Sequence, residues 1–252
     1  MSDIKSDEFA AIWLLWPIRS NARLDAPKPA RFPPFMCNLY SLTKGQAAIR
    51  AFFRVSRDLT GNLPPMPAIF PDGMAPIVRG AGERQMEMMR WGMPCPPQFG
   101  MVPVTNIRNS KSLHWRPWLG PESRCLVPVT SFCEWSDSKP KITHWFALSE
   151  ERPLSAFAGL WCRWHGLRGT KANPIEGEHQ LFGFLTTDSN DLMRPIHAKA
   201  MPVVLSTEEE FGLWLNAPIE EVLRLQRPAP NDLLRIVARG EKSDGDAAVI
   251  AP

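Results

Sequence analysis

From residue 84 onward the chain is a succession of short apolar runs, at 84–92, 124–129, 143–149, 154–162, 180–187 and 201–205, separated by Gly, Pro, Ser and Asp. Runs of this length bounded by turn formers fit strands and fall short of independent helices. Helical spacing occurs in only a few places. Ala48, Ile49, Phe52 and Phe53 follow Thr43-Lys-Gly-Gln46, which has the form of a capping box, and predict a helix over about 43–55. Ser206-Thr-Glu-Glu209 has the same form ahead of Phe211, Trp214 and Leu215, and Pro218 sits near the first turn of a further helix over 218–226. A Pro-rich loop is expected from Pro64 to Pro76. Strands that outnumber helices and do not alternate with them favour an α+β domain over a doubly wound sheet.

Residues 1–35 differ from the rest. Pro17, Pro27, Pro29, Pro33 and Pro34 break any long element there, so the stretch reads as a poorly ordered extension. Domain-like sequence runs over 36–239, and 240–252 reads as a flexible tail. With 252 residues and 44% apolar content, one domain with a sizeable core is expected. A net charge of +3 does not suit a histone-like binder but allows a local basic groove. Cys37, Cys95, Cys125, Cys133 and Cys162 are odd in number and show no C-x-x-C spacing. Without a convincing secretion signal they read as reduced thiols of a cytoplasmic protein, and without clustered Cys and His no metal or other cofactor is expected. No run approaches the roughly 20 apolar residues of a membrane helix.

Four separated stretches carry the chemistry: Met36-Cys-Asn-Leu-Tyr40, Thr105-Asn-Ile-Arg-Asn109, Arg124 to Trp135 (RCLVPVTSFCEW), and Ile196-His-Ala-Lys-Ala-Met-Pro202. Arg90-Trp-Gly92, Phe157-Ala-Gly-Leu-Trp161 and Leu185-Thr-Thr-Asp188 lie between them in order. Together, over about 36–227, they resemble the SRAP (SOS response-associated peptidase) family. The resemblance implies a single α+β domain on a curved, barrel-like, mostly antiparallel sheet with flanking helices. It also implies a basic cleft for single-stranded DNA, and a covalent link between an N-terminal cysteine and an abasic deoxyribose.

The residues support that chemistry independently. An abasic sugar opens to an aldehyde, which an α-amine attacks to give a Schiff base; a thiol two carbons away then closes a thiazolidine ring. An N-terminal Cys carries both nucleophiles so disposed. Its amine, with a pKa of about 7.7–8.0, is partly neutral at physiological pH. Ring closure is intramolecular and so favoured. For this, Cys37 must become the first residue. The expected route is translation from Met36 with loss of that Met; the other is removal of residues 1–36, by the domain itself.

By resemblance, Glu134 is the catalytic carboxylate, His197 the family histidine, Asn106 the residue that orients nucleophile or sugar, and Arg108 a phosphate-binding residue. Arg90, Lys199, Arg194 and either Thr186 or Thr187 are further candidates for contact with DNA. Trp91 is the candidate for stacking at the lesion, since bases stack on aromatics regardless of sequence. Trp115, Trp118, Trp135 and Trp161 are expected to pack. The family often reads His-x-Arg-Met-Pro where this chain reads His197-Ala-Lys-Ala-Met-Pro202, so Lys199 stands in place of the Arg only across an inserted residue. The expected partner is single-stranded DNA with abasic sites, bound by a monomer. Two other readings use the same residues. Cys37, His197 and Asn106 are the ingredients of a cysteine hydrolase able to cleave itself before Cys37. A non-covalent reader of single-stranded or modified DNA would need neither thiol nor amine.

Overall fold

Two sheets meet along one core in the computed structural model, which describes residues 37–96, 102–170 and 172–244. The described residues belong to one compact unit. In chain order the strands are β1 (Tyr40–Leu42), β2 (Val55–Asp58), β3 (Met66–Ile69), β4 (Met74–Arg79), β5 (Arg84–Trp91), β6 (Asn106–Ile107) and β7 (Arg124–Val129). They continue as β8 (Ser131–Trp135), β9 (Thr143–Ala147), β10 (Ser155–Thr170), β11 (Asn173–Thr187), β12 (Met201–Pro202), β13 (Val204–Leu205) and β14 (Arg235–Arg239). The helices are α1 (Gln46–Phe52), α2 (Glu208–Asn216) and α3 (Ile219–Val222). The smaller sheet runs β14-β9-β8-β1-β3 and the larger β12-β11-β10-β7-β4-β5-β2. Pairing is antiparallel except where β5 meets β2 and β11, and where β6 meets β11. The domain is therefore α+β with a mostly antiparallel, barrel-like sheet and few helices.

The turn from one sheet to the other is made by a single residue, Thr130, between β7 and β8. Its N–H and hydroxyl both donate to the Ser41 carbonyl, at 2.8 and 3.1 Å, and its hydroxyl accepts from the Thr43 N–H at 3.2 Å. Every residue of β7 is buried, because the core covers one face and the C-terminal helices the other. Trp214 of α2 anchors that second layer, its indole N–H reaching the Cys125 and Gly159 carbonyls at 2.9 and 3.2 Å. Arg124 is buried too, and its guanidinium is spent on the carbonyls of Leu119, Trp214 and Ala217.

Several local expectations shift. Thr43 does not cap α1: Gly45 does, without a side-chain bond, because Thr43 is held by Thr130 while Gln46 reaches across to Asp58, Thr60 and Gly61. In α2 the cap is Thr207 rather than Ser206; its hydroxyl accepts from the Glu210 N–H, and the Glu210 carboxylate accepts from the Ser206 N–H. The helix expected at 218–226 is α3 plus a 3-10 turn over Leu223–Leu225, with Pro218 at the cap. The Pro-rich stretch expected as a loop holds β3 and the start of β4; β3 tolerates Pro67 because it lies at the edge of its sheet. Beyond residue 239, the Glu241 carbonyl accepts from Thr143 and Trp145, while Asp244 pairs with Arg152, donates its N–H to the Pro67 carbonyl and accepts from the Ser41 hydroxyl. The extension expected over 1–35 lies outside the described residues, as do 245–252.

Candidate active site

Cys37 lies just ahead of β1, which pairs with β8 in the register Tyr40 to Phe132 and Ser41 to Ser131. That register, continued by the Cys133 N–H donating to the Leu39 carbonyl at 2.9 Å, brings Glu134 alongside the first described residues. Cys37 is 1% exposed and Glu134 2%. The thiol donates weakly to the Leu39 carbonyl at 3.7 Å. Burial pushes the thiol pKa well above its usual value, and the neighbouring Glu134 carboxyl pushes it further. Burial likewise raises the Glu134 carboxyl well above the normal carboxylate range, against a smaller opposing effect from its contact with Cys37. Both groups are therefore held in their neutral, protonated forms.

β6 supplies the next wall. Because β6 lies parallel to β11, Asn106 is 8% exposed and its amide N–H group donates to the Cys37 carbonyl and to the Thr105 hydroxyl, each at 2.9 Å. Thr105 in turn donates to the Asn38 side-chain oxygen at 3.4 Å. This fixes the backbone at Cys37, the atoms on which a nucleophilic amine would be carried.

His197 sits in the loop before β12. Its N–H donates to the Met193 carbonyl at 2.8 Å and its carbonyl accepts from the Ser189 hydroxyl at 2.7 Å, so the residue is pinned at both backbone ends. Burial lowers its imidazole pKa; Asp137 opposes this, and Lys199 and Lys141 add to it. Four buried polar atoms around these residues have no protein partner among the described residues: Glu134 Oε1, Asn106 Oδ1, His197 Nε2 and the Tyr40 hydroxyl. Buried polar groups are almost always satisfied, so each of these atoms is left open to an outside partner.

The expected DNA contacts divide. Arg108 is exposed and paired only with the exposed Asp188. Lys199 and Arg194 are exposed as well, with Arg194 paired to Asp191 at 3.1 Å. Arg90 is mostly covered, its guanidinium donating to the Asp72 carbonyl at 2.6 Å and pairing with the Asp72 carboxylate at 3.3 Å. Thr186 is buried on β11, and Thr187 nearly so. Trp91 is a correction: it is 0% exposed, stacked near Phe184 and Phe182, met edge-on by Tyr40, and its indole N–H donates to the Thr105 carbonyl at 3.1 Å. A side chain with no open face cannot take a base. Gly92 after it has φ +144°, and a Cβ there would fall 2.6 Å from the Pro103 Cβ, so Arg90-Trp-Gly92 is a packing motif. Trp135, expected to pack, follows Glu134 directly, is 41% exposed at the end of β8, and pairs across the sheet with Thr143 of β9.

Among the described residues no helix is long and apolar enough to cross a membrane, and no three His, Cys, Asp or Glu side chains gather as a metal site requires.

The sequence pattern of the family described as SOS response associated peptidase (SRAP) matches residues 36–239. A Bacillus subtilis strain 168 protein named abasic site processing protein YoqW is 32% identical over 149 residues, covering 56% of this chain and 61% of the relative. YobE of the same organism, named likewise, is 30% identical over 148 residues, covering 56% and 63%. The chain thus spans about three fifths of the length of the curated relatives it matches. A crystal structure of a Bordetella bronchiseptica protein superposes with a TM-score of 0.63 at 22% identity, covering 81% of this chain and 98% of that one, which establishes likeness of fold.

Proposed function

The chain belongs to the SRAP family, and from that premise we propose that it captures abasic sites in single-stranded DNA by a covalent thiazolidine link through Cys37 as first residue. The observation that carries this reading is the buried set of Cys37, Glu134 and Asn106, with the Asn106 amide on the Cys37 carbonyl and the Glu134 carboxyl facing the thiol. The sequence relatives named for abasic-site processing point the same way.

The steps follow from the protonation states. The Cys37 α-amine, once free, attacks the aldehyde carbon of the open sugar and gives a carbinolamine. Glu134, held protonated by burial, donates its proton to the departing hydroxyl; water leaves and the imine forms. The thiol then adds to the imine carbon. Its proton passes to the carboxylate that has just formed and the electron pair of the C=N bond returns to nitrogen, so the ring closes with net loss of one water. A neutral thiol suits this order, since it waits for the imine. His197, driven towards its neutral form by burial, regains a proton as DNA phosphates approach and assists opening of the sugar ring. Arg108 and Lys199 hold phosphates, and the exposed face of Trp135 takes over the stacking role first assigned to Trp91. Side chains and the amine supply every step without a cofactor.

A cysteine hydrolase needs a thiolate stabilised by a nearby cation. Burial, Glu134 and Cys133 instead disfavour the Cys37 anion, against a smaller opposing effect of the Leu39 backbone. Added peptides are therefore expected to stay intact.

The test uses protein beginning at Met36, with loss of that Met verified, mixed with single-stranded DNA bearing one abasic site. A heat-resistant band on a denaturing gel is expected for the parent and none for Cys37→Ala. Cys37→Ser closes its ring poorly and loses the band on heating. Equal bands from parent and Cys37→Ala would overturn the proposal.

A further inference from the structure

Arg108 is followed within three residues by the rim of a separate cavity of about 640 Å³. Ser110 and Lys111 form its near side, Arg116 stands on the 3-10 turn over Leu113–Trp118, and α3 closes the far side. Its floor is apolar, made of Leu119, Pro121, Ile219 and Leu223. Lys111 and Arg116 are exposed, and among the described residues neither side chain makes a hydrogen bond or ion pair. Arg124 adds a buried cation whose Nε and Nη1 donate to the Leu119, Trp214 and Ala217 carbonyls and whose charge is partly offset by Glu122. Glu220 is the one acidic residue lining it. An apolar floor under a rim of cations is the lining expected for a nucleoside and its phosphate.

The cavity is tied to the lesion site by one side chain. Gln226 accepts from the Ser110 hydroxyl at 2.6 Å, and its amide donates to the Arg108 and Thr186 carbonyls, each at 2.9 Å. Cavity wall, the segment at Arg108 and β11 are thus held in one fixed arrangement. From Arg108 to Lys111 the backbone can span at most about 11 Å, so a strand passing Arg108 reaches the cavity without leaving the surface.

We propose that this cavity is a second subsite for single-stranded DNA, taking one phosphodiester on Lys111 and Arg116 and the adjoining nucleoside on the apolar floor, to one side of the abasic site. The inference rests on the reading that the chain binds single-stranded DNA. The cavity adds affinity on one arm of the strand and does not touch the reacting atoms.

Fluorescence anisotropy with a strand carrying a non-reactive tetrahydrofuran in place of the abasic sugar tests this without crosslinking. Trimming one arm back to the lesion is expected to weaken binding about tenfold, while trimming the other has little effect. Lys111→Gln combined with Arg116→Gln weakens binding of the long strand by a similar factor, removes the dependence on that arm, and lowers the salt slope by about 0.7 for the phosphate lost. Ile219→Trp fills the cavity without changing charge and gives the same loss of arm dependence. Circular dichroism verifies the fold of these variants, and crosslinking to abasic strand is measured on the parent. If all variants bind the long strand like the parent, or if both arms matter equally in the parent, the subsite is refuted while the Cys37 chemistry stands. If arm dependence appears and the variants erase it but no covalent adduct forms, the subsite stands and the crosslinking chemistry falls. If the parent binds no strand, both fall.

Discussion

Glu134→Gln keeps the shape of a buried side chain and removes its ionisation. In the folded chain the carboxyl is 2% exposed, Oε1 has no partner, and burial holds the pKa well above the ordinary range. In the unfolded chain it titrates near 4.3. Below that pH both states carry the proton and the native state bears no penalty. As pH rises, the unfolded state releases the proton while the native state keeps it, so native stability falls by up to about 1.4 kcal/mol per pH unit until the native carboxyl also ionises. The variant lacks this component. Urea unfolding of both proteins at about pH 4.5, 5.5 and 6.5, at constant ionic strength, should give a stability difference that grows in favour of Glu134→Gln by up to about 1.4 kcal/mol per unit. The same variant should crosslink slowly, because the amide cannot donate the proton that expels water from the carbinolamine. A difference that stays constant across the range would show that Glu134 ionises normally in the fold, and would refute the role derived for it.

Other substitutions separate packing from binding. Trp91→Ala should destabilise the protein by about 3–5 kcal/mol on thermal or urea unfolding, as loss of a fully buried indole does. Trp135→Ala should change stability by less than about 1 kcal/mol yet weaken binding of single-stranded DNA by about 1–3 kcal/mol in anisotropy titrations. Thr207→Ala removes the α2 cap and should cost about 1 kcal/mol, read from the urea midpoint. Asp244→Ala breaks the 2.7 Å pair with Arg152 and should cost about 1–3 kcal/mol, which would show that the chain beyond Gly240 is part of the folded body.

The sequence marked several strands and left the corners obscure, and it caught only the apolar halves of the long β10 and β11, whose outer ends beyond 162 and before 180 are largely polar and exposed. β5, β7 and β9 stand close to their expected ranges because each carries several apolar residues between local turn formers. β8 was hidden because one residue, Thr130, separates it from β7, and no turn signal marks a strand that passes from one sheet to another. β1, β2, β6 and β14 are two to five residues long and owe their conformation to partners distant in sequence, which local pattern cannot show. The capping boxes misled for a similar reason: Thr43 is claimed by Thr130 across the fold, and a run of Ser, Thr and Glu allows the cap to move by one position. At the site, motif order nominated Cys37, Asn106, Glu134 and His197; the structure buries all four and sets the Asn106 amide on the Cys37 carbonyl. Trp91, expected to stack on a base, is buried instead, because composition does not say which face of a strand is covered.

The most direct test compares intact masses after reaction with abasic single-stranded DNA. Protein whose first residue is Cys37 should give a species equal to protein plus DNA less one water, stable to heat and denaturant. Protein that keeps its upstream residues through the incubation should give none. The same stable species from a chain whose Cys37 nitrogen is still an amide, or its absence when that amine is free, would contradict the account.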